Sequence, residues 1–467
     1  MTTPLEFLSV SGNNVYNESG DEIRLRGFCL GSWLNMEAFM VGYPGSETEF
    51  RRAIAKVLGE QKGEYFFERF LHYFVSQSDV DYVKSLGCNL MRVAINYHHF
   101  EDDERPFHYK QDGFAWLDKI IKWARLAGVY ISLDFHAFPG WQSRGWHCDN
   151  PGGGIPQFWE HIHFEERGIA LWQELARRYK DEPVIAMYGI MNEPEAVNTA
   201  KLNRYYERVT EIIRAIDQRH ILNFEGNFYS QDFSQLNPPP DRNVIYSSHL
   251  YVNAGMDDVQ YPGMVDGEYF DRAAFEKMYQ QRRAYCAKHN IPHYLSEFGC
   301  IYNDPALIES KLQVMSEYLD IIESFGDHWT IWNYKDIGKM GIVTVDPASA
   351  WMQCIRPVHQ IKTELRADSW IDRASPELDA HLHALADLIK SKLDTLPGQW
   401  ASPFEELGYV FGDRYVFRLL LPAFAEQFRD MNETDIDKMM ESFAFENCQK
   451  RTSLEKVIKE HTQKELT

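Results

Sequence analysis

The sequence predicts an α/β fold, a closed (β/α)₈ barrel, and two observations carry this prediction. Short apolar runs that end in polar residues alternate with amphipathic helical patterns, which is typical of parallel strands covered by helices. There are eight such runs, and eight βα units in strict alternation favour a closed barrel over an open doubly wound sheet. Neither GxGxxG nor GxxxxGK followed by Ser or Thr comes after the first run, so a nucleotide-binding sheet loses its main support.

The eight predicted strands cover residues 23–30, 89–95, 129–136, 185–193, 220–226, 244–251, 292–299 and 328–334. The segments between them have helical patterns. In residues 116–128, for example, Leu117 and Ile121 share an apolar face, and Gly128 can end the helix.

The chain is longer than a bare TIM barrel, since 467 residues exceed the roughly 250 of that fold. Residues 36–80, after the first strand, are too many for one βα loop. They predict two helices at 47–59 and 63–75 ahead of a barrel helix at 78–87. This helical insertion leaves the C-terminal end of the first strand, so it either covers the mouth of the barrel or packs on its side.

A helical C-terminal extension follows the barrel. We expect a catalytic barrel at 1–366 and the extension at 367–467, with a first helix capped by Ser375 and a break at Pro397-Gly398. Three further helices are predicted after the break. The extension carries no recognisable chemistry, and its alternatives are packing on the barrel, pairing in a homo-oligomer, or binding a partner.

Charge and the N-terminus exclude some classes of partner. A formal net charge of -21 without a basic cluster argues against nucleic acid. The first residues lack a basic region and an apolar run, and no stretch approaches the ~20 apolar residues of a membrane span. The seven cysteines are odd in number and form no CxxC pair, so we expect a reduced cytoplasmic compartment.

Reactive groups of such barrels come from the C-terminal ends of the strands. The polar residues at these ends are Arg92, Asp134, His136, Asn192, Glu193, Glu225, His249, Tyr251, Glu297 and Trp332. Glu193 on strand 4 and Glu297 on strand 7 stand on opposite sides of a narrow barrel, so their carboxyl groups can approach each other across the mouth. A carboxyl pair of this kind hydrolyses glycosides.

The two carboxyl groups need different environments. We expect Glu297 to be an ionised nucleophile near the donors Arg92 and Tyr251. Glu193 has to hold a proton near neutral pH, which requires burial and a neighbouring negative charge. Asn192 can bond the sugar 2-OH. Each of these residue types also occurs in structural ion pairs inside barrels, so the prediction depends on their joint occurrence in this strand order.

This order of residues resembles glycoside hydrolase family 5, the cellulase-like retaining β-glycosidases. The resemblance covers residues 20 to 350 and lies in LMRVAI, LDFHAFPG, MNEPE, SSHLY, LSEFG and IWNY. It implies that Glu193 is the acid/base and Glu297 the nucleophile. It also implies substrate-site roles for Arg92, His136, Asn192, His249, Tyr251 and Trp332, with the tryptophan under the sugar, and Glu225 is expected to bind substrate or support the pair.

Two flanking phrases, LRGFCLGSWLNME and DFHAFPGWQ, are similar to the exo-β-glucanase branch, which has LRGVNLGGW and DLHGAPG. This similarity implies that Trp33 and Glu37 lie at the rim of the sugar subsite. It places Trp141, Trp146 and His147 in the loop after strand 3. The insertion and the extension have no counterpart in that branch.

We therefore expect a retaining, exo-acting glycosidase for β-glucosides or β-gluco-oligosaccharides, with no cofactor and no metal. A β-mannosidase, a β-galactosidase or an endo-β-1,4-glucanase would use the same residues. Two other classes are a metal-dependent hydrolase, given several histidines but no HxH on the first strand, and a carbohydrate-binding barrel without catalysis. Insensitivity to chelators would exclude the first, and turnover would exclude the second.

Overall fold

The structure is a computed structural model that describes residues 4–368, 370–371, 376–392 and 407–463. Eight parallel strands close into a barrel, which confirms the predicted fold. We label them β1 to β8: Arg26–Leu34, Leu90–Asn96, Tyr130–Ala137, Ile185–Gly189, Ile221–Glu225, Val244–His249, His293–Glu297 and His328–Ile331. A hairpin of Leu8–Ser11 and Asn14–Asn17 precedes β1.

The strands are buried along nearly their whole length because helices cover the outer face while side chains fill the interior. Every residue of β2 and β3 is buried. The apolar runs located all eight strands, but β4 ends at Gly189, so Glu193 lies in the loop beyond the strand.

Within the described ranges, thirteen helices have eight or more residues, and we label them α1 to α13. They are Glu47–Leu58, Glu60–Phe74, Gln77–Ser85, Gln111–Ala127, Ile162–Tyr179, Thr199–Arg214, Arg272–His289, Ile308–Phe325, Ala350–Glu364, Pro376–Lys390, Phe417–Glu426, Glu433–Met440 and Thr452–Thr462. Helices α3 to α9 follow the strands around the barrel. No described helix is long and apolar enough to cross a membrane.

The insertion consists of α1 and α2, and it packs beside the barrel with the C-terminal extension. Ser46 forms a capping box with Glu49 and thereby begins α1. Phe50 of α1 and Phe66 of α2 meet Phe424 and Phe428 edge-on. Such aromatic pairs bury large apolar areas, so the two additions share one core. Helix α1 begins near the C-terminal ends of the strands, since Asn96 at the end of β2 donates to Glu47 at 3.3 Å.

The C-terminal extension is joined to the barrel by a strand that the sequence did not predict. Cys448–Lys450 pairs antiparallel with Val343–Val345, which follows β8. Four predicted helices appear as α10 to α13, and α11 is preceded by a π-helical stretch, Val410–Val416. Ser375 and Pro397-Gly398 lie outside the described residues. The domain boundary at residue 366 and pairing in a homo-oligomer stay predictions.

A buried lysine links barrel, insertion and extension. The Lys335 ammonium lies 2.6 Å from an Asp79 carboxylate oxygen, and neither side chain is exposed. It also donates hydrogen bonds to the carbonyl groups of Phe74, at 2.6 Å, and Phe443, at 3.0 Å. These partners compensate for the cost of burying the charge.

Candidate active site

The two predicted carboxyl groups meet at the C-terminal mouth of the barrel. One oxygen of Glu193, one of Glu297 and a ring nitrogen of His249 all lie within 4.8 Å of one another. Glu297 ends β7, and Glu193 lies four residues beyond the end of β4 (193 − 189). Barrel closure brings the two together although 104 residues (297 − 193) separate them.

Arg92 is the cation at the centre of the site. It lies on β2, is fully buried, and donates to Glu297 Oε1 at 2.5 Å and to Asn192 Oδ1 at 2.6 Å. The nitrogen that donates to Asn192, Nη2, also lies 3.0 Å from Asp134 and 3.3 Å from Glu225. A guanidinium can serve several carboxyl groups at once because its five N–H donors form a rigid fork.

His249 and Tyr251 stand between the two carboxyl groups. His249 Nδ1 lies 2.7 Å from Glu193 Oε1 and 3.4 Å from Glu297 Oε2. The Tyr251 hydroxyl donates to Glu297 Oε2 at 2.9 Å. Burial lowers the pKa of His249, but the charges of Glu297, Glu225 and Glu193 outweigh it and raise that pKa to about 10. His249 is therefore an imidazolium at neutral pH.

His136 accepts a hydrogen bond from the amide group of Asn192. Burial lowers the pKa of His136 well below its ordinary value, so the ring is neutral. Its Nδ1 lies 2.7 Å from Asp134 Oδ2 and its Nε2 lies 3.2 Å from Asn192 Nδ2, which places the ring proton on Nδ1. Trp332 stacks on the same ring with 5.4 Å between centroids. Asn192 keeps one amide hydrogen for a ligand.

Glu225 holds the backbone of Glu193. Glu193 has a left-handed backbone with φ 44°, which is unfavourable for a residue with a side chain. Its N–H donates to Glu225 Oε2 at 2.8 Å, and Ser230 donates to the same oxygen. The other oxygen of Glu225 faces Arg92 and His249. Protein groups thus surround both oxygens of Glu225, and its role stays a prediction.

Two residues from the loop after β3 and the segment after β1 also reach the site. His147 Nε2 lies 3.1 Å from Glu193 Oε2, a contact that nothing in the sequence indicates beyond the position of His147 in this loop. Glu37 is buried, and its Oε1 lies 3.4 Å from His136 Nε2 without a hydrogen bond from the protein. The structure thus brings Glu37 to the pair as expected from the flanking phrase.

Trp33 differs from its expected placement. Trp33 is fully buried and its indole donates to the carbonyl of Leu71 in α2, so it belongs to the core under the insertion and not to the rim. Nearby, Asn35 donates to the carbonyl of His147 at 3.0 Å, and a short helix follows at Ala38–Val41. Trp141 lies in the loop after β3, as expected, with φ 58° and a buried indole N–H without a protein partner.

An aromatic rim surrounds the pair. It consists of Tyr251, Trp370, Phe39, Trp146, His147 and Tyr229, whose successive ring centroids lie 5.1, 5.3, 5.9, 6.1 and 6.0 Å apart. The rings come from the segments after β6, β1, β3 and β5 and from the extension. Of these, Phe39, Tyr229 and Trp370 were not predicted, because an aromatic residue in a loop or tail has no pattern that marks it as part of a site.

The expected pKa difference between the two carboxyl groups is wrong for the free protein. Burial raises the pKa of Glu297 to about 7, since the charges of Glu193 and Glu225 add to burial against His249 and Arg92. Burial also raises the pKa of Glu193, but His147 and His249 outweigh it and hold it below the ordinary value. The sequence indicated the donors to Glu297 but could not show that two imidazoles face Glu193.

Among the described residues, one group of three ligand-type side chains is close enough to hold a metal ion, and it is Glu193, His249 and Glu297. A metal would need a free ring nitrogen on His249. Because the pKa of His249 is about 10, the imidazolium itself supplies the positive charge at this place. The group fits a proton-transfer site better than a metal site.

A carboxyl pair at the C-terminal mouth of a (β/α)₈ barrel, held by an arginine, a histidine and a tyrosine, defines the class of barrel glycoside hydrolases. The model of the cellulase family (glycosyl hydrolase family 5) matches residues 60–338, more than half of the chain. The chain belongs to glycoside hydrolase family 5 and hydrolyses β-glycosidic bonds.

Named relatives carry different activities. A β-xylosidase of Phanerodontia chrysosporium is 35% identical over 97% of this chain and 98% of its own length. Endoglucanase C of Acetivibrio thermocellus is 22% identical over 58% of this chain and 87% of its own. A probable glucan 1,3-β-glucosidase A of Aspergillus clavatus is 29% identical over 49% of this chain and 55% of its own. These names agree on the reaction class and differ on substrate and on exo or endo action.

Proposed function

We propose that this protein is a retaining, exo-acting β-glycosidase with Glu193 as acid/base and Glu297 as nucleophile. The observation that carries the proposal is the approach of two carboxylate oxygens to within 4.8 Å across the mouth. Retaining enzymes hold their carboxyl groups about 5–5.5 Å apart, whereas inverting enzymes need about 6.5–9.5 Å to admit a water.

The contacts of each carboxyl group support the division of roles. Both oxygens of Glu297 accept hydrogen bonds, from Arg92 and Tyr251, which orients the group for attack at C1. The Glu193 side chain is 14% exposed against 6% for Glu297, so it is the one that an incoming glycosidic oxygen can reach. Arg92 and Tyr251 stabilise the negative charge that returns to Glu297 when the glycosyl-enzyme breaks down.

The cluster of His249, Glu193 and Glu297 holds the same number of protons in the free protein and in the reactive state. Below pH ~7 the free cluster holds two protons, one on His249 and one on Glu297. The reactive state also needs two, one on His249 and one on Glu193. His249 Nδ1, at 2.7 Å from Glu193 and 3.4 Å from Glu297, can pass its proton to Glu193 and take the proton of Glu297.

Two displacements then follow. A Glu297 oxygen bonds to C1 while the C1–O bond of the substrate breaks, and the proton of Glu193 goes to the leaving oxygen. In the second step Glu193 takes a proton from water, the water oxygen bonds to C1, and the bond from C1 to Glu297 breaks. Each step inverts C1, so the product retains the β configuration.

The aromatic rim supports exo action, and the β-xylosidase and glucan 1,3-β-glucosidase relatives support a β-xyloside or a β-glucoside as substrate. Six rings that follow one another from Tyr251 to Tyr229 favour a pocket for one sugar over an open groove. D-glucose and D-xylose present the same equatorial hydroxyls at C2 to C4, so one pocket can serve both. The β-xylosidase that matches the whole chain favours the xyloside as the second candidate.

A panel of aryl β-glycosides tests the proposal: glucoside, xyloside, mannoside, galactoside and cellobioside. We expect the glucoside or the xyloside to have the highest kcat/KM, and NMR of the first product to show the β anomer. On a β-linked oligosaccharide, single sugars should appear first. A first-formed α anomer would refute retention, early products that are mainly long oligomers would refute exo action, and a preference for mannoside or galactoside would refute the sugar assignment.

A further inference from the structure

Trp370 lies beyond α9, the last helix of the barrel, and yet it is part of the aromatic rim. Its ring meets Tyr251, after β6, with centroids 5.1 Å apart, and Phe39, after β1, with centroids 5.3 Å apart. In the barrel, β7 and β8 stand between β6 and β1. The Trp370 ring therefore closes the side of the mouth on which Glu297 stands.

A buried ion pair fixes this segment beside the segment after β1. The Lys362 ammonium lies 3.1 Å from Asp368 Oδ2 and donates to the carbonyl of Ala38 at 3.2 Å. Lys362 and Asp368 are both buried. Since Asp368 is two residues before Trp370, and Ala38 is one residue before Phe39, Lys362 connects the segments that carry the two rings.

A polar group without a partner lies next to Ala38 and Phe39, in the segment after β1. Glu37 Oε1 is buried and accepts no hydrogen bond from the protein. Burial raises the pKa of Glu37 well above its ordinary value, and Glu297, Glu193 and Asp368 raise it further, which favours the neutral form of this carboxyl group. Buried polar groups normally have partners, and a neutral carboxyl can both donate to and accept from a sugar hydroxyl.

We propose that the C-terminal extension completes the sugar pocket, with Trp370 as a specificity-determining residue that limits the pocket to the single terminal sugar of the substrate. This inference rests on the proposed exo-glycosidase function. Trp370 blocks the place that a second sugar on the non-reducing side would occupy, and the Lys362–Asp368 ion pair holds the ring there. The extension is thus part of the substrate site.

The test compares release of nitrophenol from the aryl glycoside of the preferred sugar with release from the matching aryl disaccharide, a cellobioside or a xylobioside. The full-length wild type, Trp370→Ala and Trp370→Phe are measured, with Tyr415→Ala as the matched control, an aromatic residue of the extension that is 60% exposed. Loss of a pocket wall changes selectivity by about 10-fold or more. We expect Trp370→Ala to raise the disaccharide to monosaccharide ratio of kcat/KM by at least that factor, while Trp370→Phe and the control keep the wild-type ratio.

A ratio that stays at the wild-type value in folded Trp370→Ala, with both substrates slowed equally, would overturn the inference and leave Trp370 a packing residue. If Trp370→Ala does not fold, Trp370→Leu keeps apolar volume on Phe39 and supplies the same comparison. Failure of the proposed function shows separately, because wild type would then hydrolyse none of the aryl glycosides or would prefer the disaccharide from the start.

Discussion

Replacing Glu193 by alanine gives the sharpest test of the two-carboxylate mechanism. The side chain lies between His249 Nδ1, at 2.7 Å, and His147 Nε2, at 3.1 Å, so Glu193→Ala leaves two imidazoles facing an empty volume. General acid–base catalysis contributes about 10²–10⁴-fold to the rate, which corresponds to roughly 3–5 kcal/mol of the activation free energy of this step. We expect hydrolysis of a substrate with a poor leaving group to fall by that factor.

Activated substrates and azide separate the two roles. A 2,4-dinitrophenolate leaves without a proton, so Glu193→Ala still forms the glycosyl-enzyme and stalls at its hydrolysis. Azide, a small anion that suits the site between the two imidazoles, should attack C1, restore turnover and yield the β-glycosyl azide. Glu297→Ala lacks the nucleophile and should be nearly inactive with this substrate, and any azide product it forms should be the α anomer.

The matched control is Glu165→Ala, because Glu165 is a buried glutamate of α5 that pairs with Arg204 and Arg208 away from the site. It should keep its activity at temperatures where it is folded. Near wild-type rates in both site variants would show that the pair is structural. A β-glycosyl azide from Glu297→Ala would show that the two roles are exchanged.

Four further outcomes follow from the contacts. Tyr251→Phe removes one hydrogen bond to the Glu297 carboxylate, and charged hydrogen bonds contribute about 1.5–3 kcal/mol, so kcat should fall by roughly 10- to 100-fold. Since Glu297 holds the second proton of the cluster with a pKa of about 7, kcat/KM should fall as pH rises above that value, about tenfold per pH unit. Lys335→Met leaves the buried Asp79 carboxylate without its cation and should lower the free energy of unfolding by about 3–5 kcal/mol in urea titrations. Prolonged treatment with EDTA should leave kcat unchanged, because His249 supplies the positive charge between the carboxyl groups.

Each of these four predictions has its own control or its own contradicting result. Tyr269→Phe, at an exposed tyrosine, should change nothing, and an unchanged kcat in Tyr251→Phe would deny its hydrogen bond a role. A kcat/KM that stays level to pH 9 would mean that Glu297 does not hold the needed proton. Combining Lys335→Met with Asp79→Leu should recover much of the lost stability, and no recovery would place the loss outside the ion pair. Loss of activity in EDTA that zinc or magnesium restores would favour a metal site at this cluster.

Much of the fold and of the site could be predicted because barrel geometry converts strand order into position. Eight apolar runs fixed by burial on both faces located the strands, and polar residues at their ends had to meet at one mouth. Arg92, Asn192, His249, Tyr251 and Glu297 are in contact there for this reason. Strand ends were less certain, as β4 shows, since a polar loop residue can extend an apolar pattern.

The alternation of apolar runs and helical patterns is enough to specify the barrel and the polar side chains at its mouth, because closure of eight strands brings the strand ends together. The folded chain was needed to show that Trp33 points into the core, that two imidazoles face Glu193, and that Trp370 of the extension joins the rim. These features depend on contacts between segments far apart in the chain, where the direction of a side chain and the charge of a carboxyl group are set by neighbours that no local pattern specifies.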